Sequence, residues 1–95
     1  MQNFKKIYLI LRTLERAMKS GEVDEIFRLG IAERDLISLC EMLQDGGYIK
    51  GFQVQEFIGG QKIGIYDGVK ITLRGLEYLN TNSLMENARK ELSGI

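Results

Sequence analysis

At 95 residues, with 44% hydrophobic and 27% charged residues, the chain has the size of one small domain with a single hydrophobic core and falls outside the disordered class. Thirteen basic and thirteen acidic residues cancel, which excludes a general field drawing the whole molecule toward nucleic acid or anionic membrane. With no histidine there is no ready general base near neutral pH and no imidazole metal ligand, and a single cysteine allows neither an internal disulfide nor a thiolate zinc site.

The first predicted element is a helix from Asn3 to Lys19, with Phe4, Ile7, Leu11, Leu14 and Met18 at helical spacing and Ser20-Gly21 as its stop. The apolar run Ile7 to Leu11 behind Lys5-Lys6 imitates a leader peptide, but Arg12 ends it after five residues and no small-residue cleavage site follows. No run approaches the roughly 18 apolar residues of a membrane span. With Cys40 in an apolar stripe, a reducing cytoplasm is the expected setting. Glu22 and Val23 suggest a short strand, and Asp24-Glu25 then suit the first turn of a very short helix through Ile26, Phe27 and Leu29, closed by Gly30.

The central stretch runs from Ile31 to Ile49. Leu36, Leu39, Cys40 and Leu43 share one face of a helix, while Arg34, Ser38, Glu41 and Asp45 share the other, and Gly46-Gly47 ends it. Ala32 sits near its N-cap, where Ser, Thr or Asp would cap better. Two short helices joined by a tight turn, the second amphipathic, outline a helix-turn-helix.

Tyr48 to Ile58 reads as one strand, Gly59-Gly60 as a type I′ hairpin turn, and Lys62 to Tyr66 as the returning strand. Asp67-Gly68 bends the chain, Val69 to Ile71 extends or rejoins the ladder, and Thr72 starts a helix through Leu73, Leu76 and Leu79. Asn80-Thr81-Asn82 breaks that helix, and Ser83 with Glu86 fits a capping box for a last helix over 83–92. Leu84, Ala88 and Leu92 give it a narrow stripe suited to the first helix or to a second copy of the chain. The order of elements predicts an α+β fold: a single winged-helix domain over 1–95, a helix-turn-helix followed by a β-hairpin wing, with C-terminal helices.

The Gly59 to Gly64 segment lacks the spacing and the Lys-Ser/Thr end of a phosphate-binding loop, and the acid pairs Asp24/Glu25 and Glu33/Asp35 fit no calcium loop. The expectation is a non-enzymatic protein with no cofactor and no metal.

Gly46-Gly47-Tyr48-Ile49-Lys50-Gly51, the run Ile71 to Leu79, and Asn82-Ser83 together resemble the YjcQ-like family of small winged-helix proteins of Gram-positive bacteria and their prophages. The resemblance spans Ile26 to Leu92. Its Thr72, Gly75, Leu79 element is common to many winged-helix regulators, so it speaks to fold more than to family. The resemblance implies a winged helix with a DNA-associated, regulatory role, and it carries no catalytic or binding residues across.

Charge placement divides the functional expectation. Residues 1 to 21 are net +4, whereas residues 22 to 46 are net −5. A recognition helix enters the major groove and gains affinity largely by neutralising phosphates. Arg34 and Ser38 could donate there, but Glu41 and Asp45 share their face. One expectation is therefore double-stranded DNA bound in a less usual mode, through Lys5, Arg12, Arg16 and Lys19 of the first helix with Gln61 and Lys62 of the wing. The structural alternative for those cations is a solvated face whose long side chains shield the core edge. The other functional expectation is a protein-interaction module, with Glu33, Glu41 and Asp45 facing a basic partner. The +4 helix of one copy against the −5 segment of another would make a homodimer.

Overall fold

A computed structural model describes residues 1–94, and it is α+β with the helix-turn-helix and hairpin of a winged helix. Helix α1 is Asn3–Ser20, followed by a 3-10 helix at Asp24–Arg28 and by α2 at Glu33–Asp45. Strands β1 (Ile49–Lys50), β2 (Gln53–Glu56), β3 (Lys62–Ile65) and β4 (Lys70–Ile71) precede α3 (Leu73–Thr81) and α4 (Ser83–Leu92). None of the described helices is long and apolar enough to cross a membrane.

The core is one cluster to which nearly every element contributes. Ile10, Leu11 and Leu14 of α1, Ile26 of the 3-10 helix, Cys40 of α2, Ile49 of β1 and Met85 of α4 are almost wholly buried. Burying one such side chain stabilises the fold by about 1.5–3 kcal/mol. Helix α1 packs on α3, α4, β4 and the 3-10 helix, so it is the shaft around which the C-terminal helices close. The stripe of α2 is buried as its spacing predicts, with Ile37 added to it. Ala32 provides no side-chain cap, and the first turn of α2 instead carries Glu33 and Asp35. Lys6 Nζ of α1 donates to Asp35 Oδ2 at 3.1 Å, a pair that spends part of the opposite charge of the two segments within one chain.

Several details depart from the sequence expectation. Val23 is not in a strand; its backbone, at φ −106° and ψ 2°, has already turned into the 3-10 helix. Met18 is 63% exposed, because the buried face of α1 runs through Tyr8, Ile10, Leu11, Thr13 and Leu14 and has turned away by the last turn. The single strand expected from Tyr48 to Ile58 is two strands in two separate two-stranded sheets. β1 pairs antiparallel with β4, Ile49 opposite Ile71, while β2 pairs with β3, Val54 opposite Gly64.

Gly51 makes the break. Its φ of +81° favours glycine, and a Cβ there would overlap the Gly68 carbonyl oxygen, so the backbones cross where no side chain fits.

The wing turn is also not a two-residue type I′ turn. Gly60 N–H donates to the Phe57 carbonyl at 3.1 Å and Phe57 N–H to the Gln61 carbonyl at 2.8 Å, which makes a three-residue loop of Ile58, Gly59 and Gly60. Gly59, at φ +99°, occupies the third position of that turn, where a positive φ is required. Phe57 and Ile58 therefore belong to the wing tip rather than to a strand, and Ile58 is fully exposed.

The C-terminal caps fall partly as expected. Thr72 Oγ1 accepts from Gly75 N–H at 3.1 Å and caps α3. The cap of α4 is Asn82 rather than Ser83: Asn82 Oδ1 accepts from Leu84 N–H at 2.9 Å, a two-residue reach that asparagine makes readily. Met85 and Ala88 form the buried face of α4 against α1 and α3, while Leu84 and Leu92 stay 49% and 40% exposed. The expected Leu84, Ala88, Leu92 stripe is therefore rotated by about one residue.

Candidate binding grooves

The wing is hung on α2 by a side chain acting as backbone. Gln44, in the last turn of α2, donates through Nε2 to the Phe52 carbonyl at 2.9 Å and accepts through Oε1 from the Phe52 N–H at 2.8 Å. Phe52 lies immediately after the Gly51 break, where the chain has left β1 and has not yet entered β2, so its backbone groups have no strand partner. Below it, Phe52 and Tyr66 rings sit 5.2 Å apart, and Phe27 of the 3-10 helix meets Tyr66 edge-on at 5.2 Å. This aromatic run sets the wing against the helix-turn-helix.

Between α2 and the wing lies a groove of about 470 Å³ whose walls include Glu33, Arg34, Ser38 and Glu41 from α2 and Gly60 and Lys62 from the wing, over Ile37. It brings together residues that the sequence divided between two expectations. Arg34, Ser38 and Lys62, expected for DNA, share it with Glu33 and Glu41, expected for a protein partner. Lys62 Nζ also lies 3.8 Å from Glu56 Oε1 within the wing, so part of its charge is already answered. Asp45 is exposed at the far end of α2 and Gln61 on the wing; neither lines the groove.

The cations of α1 are elsewhere. Arg12, Arg16 and Lys19 line a shallow groove of about 520 Å³ with Glu15, Met18 and Leu76, and none of its walls comes from the wing or α2. Lys5 Nζ lies 3.3 Å from Glu91 Oε2 and so ties α1 to α4. Helix α1 and the wing are thus separate candidate surfaces.

Three contributors lie outside the residues expected from the sequence. Gln44 gave no signal, since a polar residue near a helix end is ordinary. Ile37 could have been found as the residue that widens the Leu36 stripe. Arg28 entered only the charge count, yet it stands beside Arg12 and Arg16 at the seam of α1 and the 3-10 helix.

Chemistry on the chain itself is sparse. Cys40 is wholly buried, and burial pushes its thiol from the ordinary 9.0 up to about 12, which makes it inert as a nucleophile. Among the described residues no group of three acids or cysteines is placed to hold a metal ion.

A helix-turn-helix whose second helix is followed by a wing defines the chain as a winged-helix protein. The family model described as YjcQ protein matches residues 8–95, and the chain belongs to the YjcQ family. No curated protein and no solved structure matches it.

Proposed function

We propose that this winged helix is a non-enzymatic binding module whose α2–wing groove receives a segment of a partner protein. The observation that carries the reading is the charge of that groove: Arg34 and Lys62 are balanced by Glu33 and Glu41 around Ile37. A duplex gives affinity chiefly through phosphates, and a balanced wall gains little from them. A peptide with a basic residue flanked by apolar side chains would meet the two glutamates and the isoleucine floor at once. The fully exposed Ile58 and the half-exposed Phe57, on the same wing tip as Gly60, offer the apolar contact area such interfaces use.

The test is a paired capture from the native cell extract with the wild-type chain and a Glu33→Lys/Glu41→Lys variant. Loss of a specific protein from the variant supports the groove; retrieval of the same set by both removes it.

DNA association through α1 is the second reading, favoured because Arg16 and Lys19 are exposed and form no ion pair among the described residues. It is checked by duplex anisotropy at about 50 and about 200 mM salt, where several phosphate contacts cost orders of magnitude in affinity. An Arg16→Gln/Lys19→Gln variant that leaves the salt slope unchanged excludes it.

A further inference from the structure

We propose that Arg12, Arg16 and Arg28 form a binding site for the dianion of a small phosphate monoester, at the seam between α1 and the 3-10 helix. Arg12 and Arg16 project from successive turns of α1, and Arg28 from the last turn of the 3-10 helix, into one groove of about 270 Å³.

Two observations point to an anion. The Nε of Arg12 is buried and has no acceptor, and the nearest carboxylate of Arg12, Glu15, reaches only its Nη1 at 3.9 Å. A buried donor with no partner is rare in native folds, and an oxyanion held by the exposed part of the Arg12 guanidinium would satisfy it once a small rotation of that side chain uncovers the Nε. Arg16 and Arg28 form no ion pair among the described residues, so their donors are also open. Guanidinium groups present paired N–H donors that match phosphate oxygens bidentately.

The charge of the groove selects the kind of phosphate. The groove wall carries three arginines against Glu25, a surplus of +2 that Glu15, beside Arg12, reduces to no less than +1; a terminal monoester with two negative charges is drawn to that surplus more strongly than a backbone diester with one. Leu9 and Leu29 supply apolar wall for the ester's organic group. The volume lies just under the range of about 300–1,000 Å³ usual for small-molecule sites, which fits a small ligand.

The experiment follows arginine Nε–H signals of the full chain by NMR during titration with phenyl phosphate, with dimethyl phosphate and sodium chloride at matched ionic strength as comparisons. It is repeated with Arg28→Gln, which removes an exposed side chain and leaves the core intact. The expected result is a saturable shift of the Arg12 signal with phenyl phosphate alone, and an affinity about tenfold weaker in Arg28→Gln, as for one lost charge-assisted pair. No shift, or an equal shift with chloride, overturns the site. Equal binding of both esters overturns it in favour of a general backbone-phosphate patch. Unchanged affinity in Arg28→Gln overturns the role of the 3-10 helix, and with it the site as drawn.

Discussion

Gln44 holds both backbone groups of Phe52, donating to its carbonyl at 2.9 Å and accepting from its N–H at 2.8 Å. The pair stands where the main chain passes from the helical body into the wing, so the angle of the wing over α2 depends on a side chain. Gln44→Ala leaves two part-buried groups unpaired and should cost about 1–3 kcal/mol. Gln44→Glu keeps the acceptor for the Phe52 N–H but opposes a carboxylate to its carbonyl, so it should not restore stability. Urea midpoints measure the cost, and hydrogen exchange at residues 52–56 reads the loosened wing. A Gln44→Ala chain with native exchange throughout the wing would show that the aromatic contacts hold it unaided.

Gly75 presents two opposed effects whose balance can be decided. It lies within α3, where alanine is favoured over glycine by about 1 kcal/mol. A Cβ there, however, would overlap the Tyr48 carbonyl oxygen and approach Ile71 Cγ1 at 2.7 Å. The carbonyl is backbone and cannot rotate away, and overpacking costs about 1–3 kcal/mol or more. Gly75→Ala should therefore lower the thermal midpoint, and a raised midpoint would mean that α3 can shift away from Tyr48 and β4 at little cost.

Thr72 and Gly51 show where the sequence could and could not be read. Periodicity identified α1, α2, α3 and α4, because the apolar stripes of long amphipathic helices are set locally. Thr72 was legible as a cap since its chemistry acts three residues away, on Gly75. The division of the expected strand at Gly51 was not legible, because it follows from a crossing with Gly68 that is distant in sequence. The rotated face of α4 was missed for a similar reason: Met85 is buried by α1, which no local pattern foretells. The candidate grooves were partly legible as residues and not as surfaces. Glu33 and Lys62 lie 29 positions apart, and nothing in their spacing puts them across one groove.

Tyr66 should be better as phenylalanine. Its ring is buried at 4% exposure between Phe27 and Phe52, and its hydroxyl is buried without a hydrogen-bond partner. Removing a buried polar atom that makes no bond relieves a desolvation cost of about 1–3 kcal/mol while keeping the ring contacts. Tyr66→Phe is expected to match or exceed the wild type in chemical denaturation. Destabilisation by more than about 1 kcal/mol would reveal a hydrogen bond, to water or to a neighbour, that the fold depends on.

Cys40 gives the fold an alkaline limit. Burial raises its thiol from 9.0 to about 12, so in this region of pH the folded state binds a proton that the unfolded chain has released. The sign follows by linkage: the contribution is fully present below about pH 9, and stability falls as pH rises from there toward about 12. Tyr66, raised by burial and by the nearby Cys40 and Glu33, adds loss in the same direction. Cys40→Ala should be modestly less stable at neutral pH, because it loses a buried sulfur, yet its denaturation midpoint should fall less steeply above pH 9. Native protein should also resist a thiol-labelling reagent at pH 8 and react once urea unfolds it, since the reacting species is the thiolate. Labelling of the folded chain at a rate independent of urea would mean that α2 opens around Cys40 without global unfolding. Parallel alkaline limbs in the two proteins would assign the whole limit to tyrosine, and Tyr66→Phe would then be the variant that flattens it.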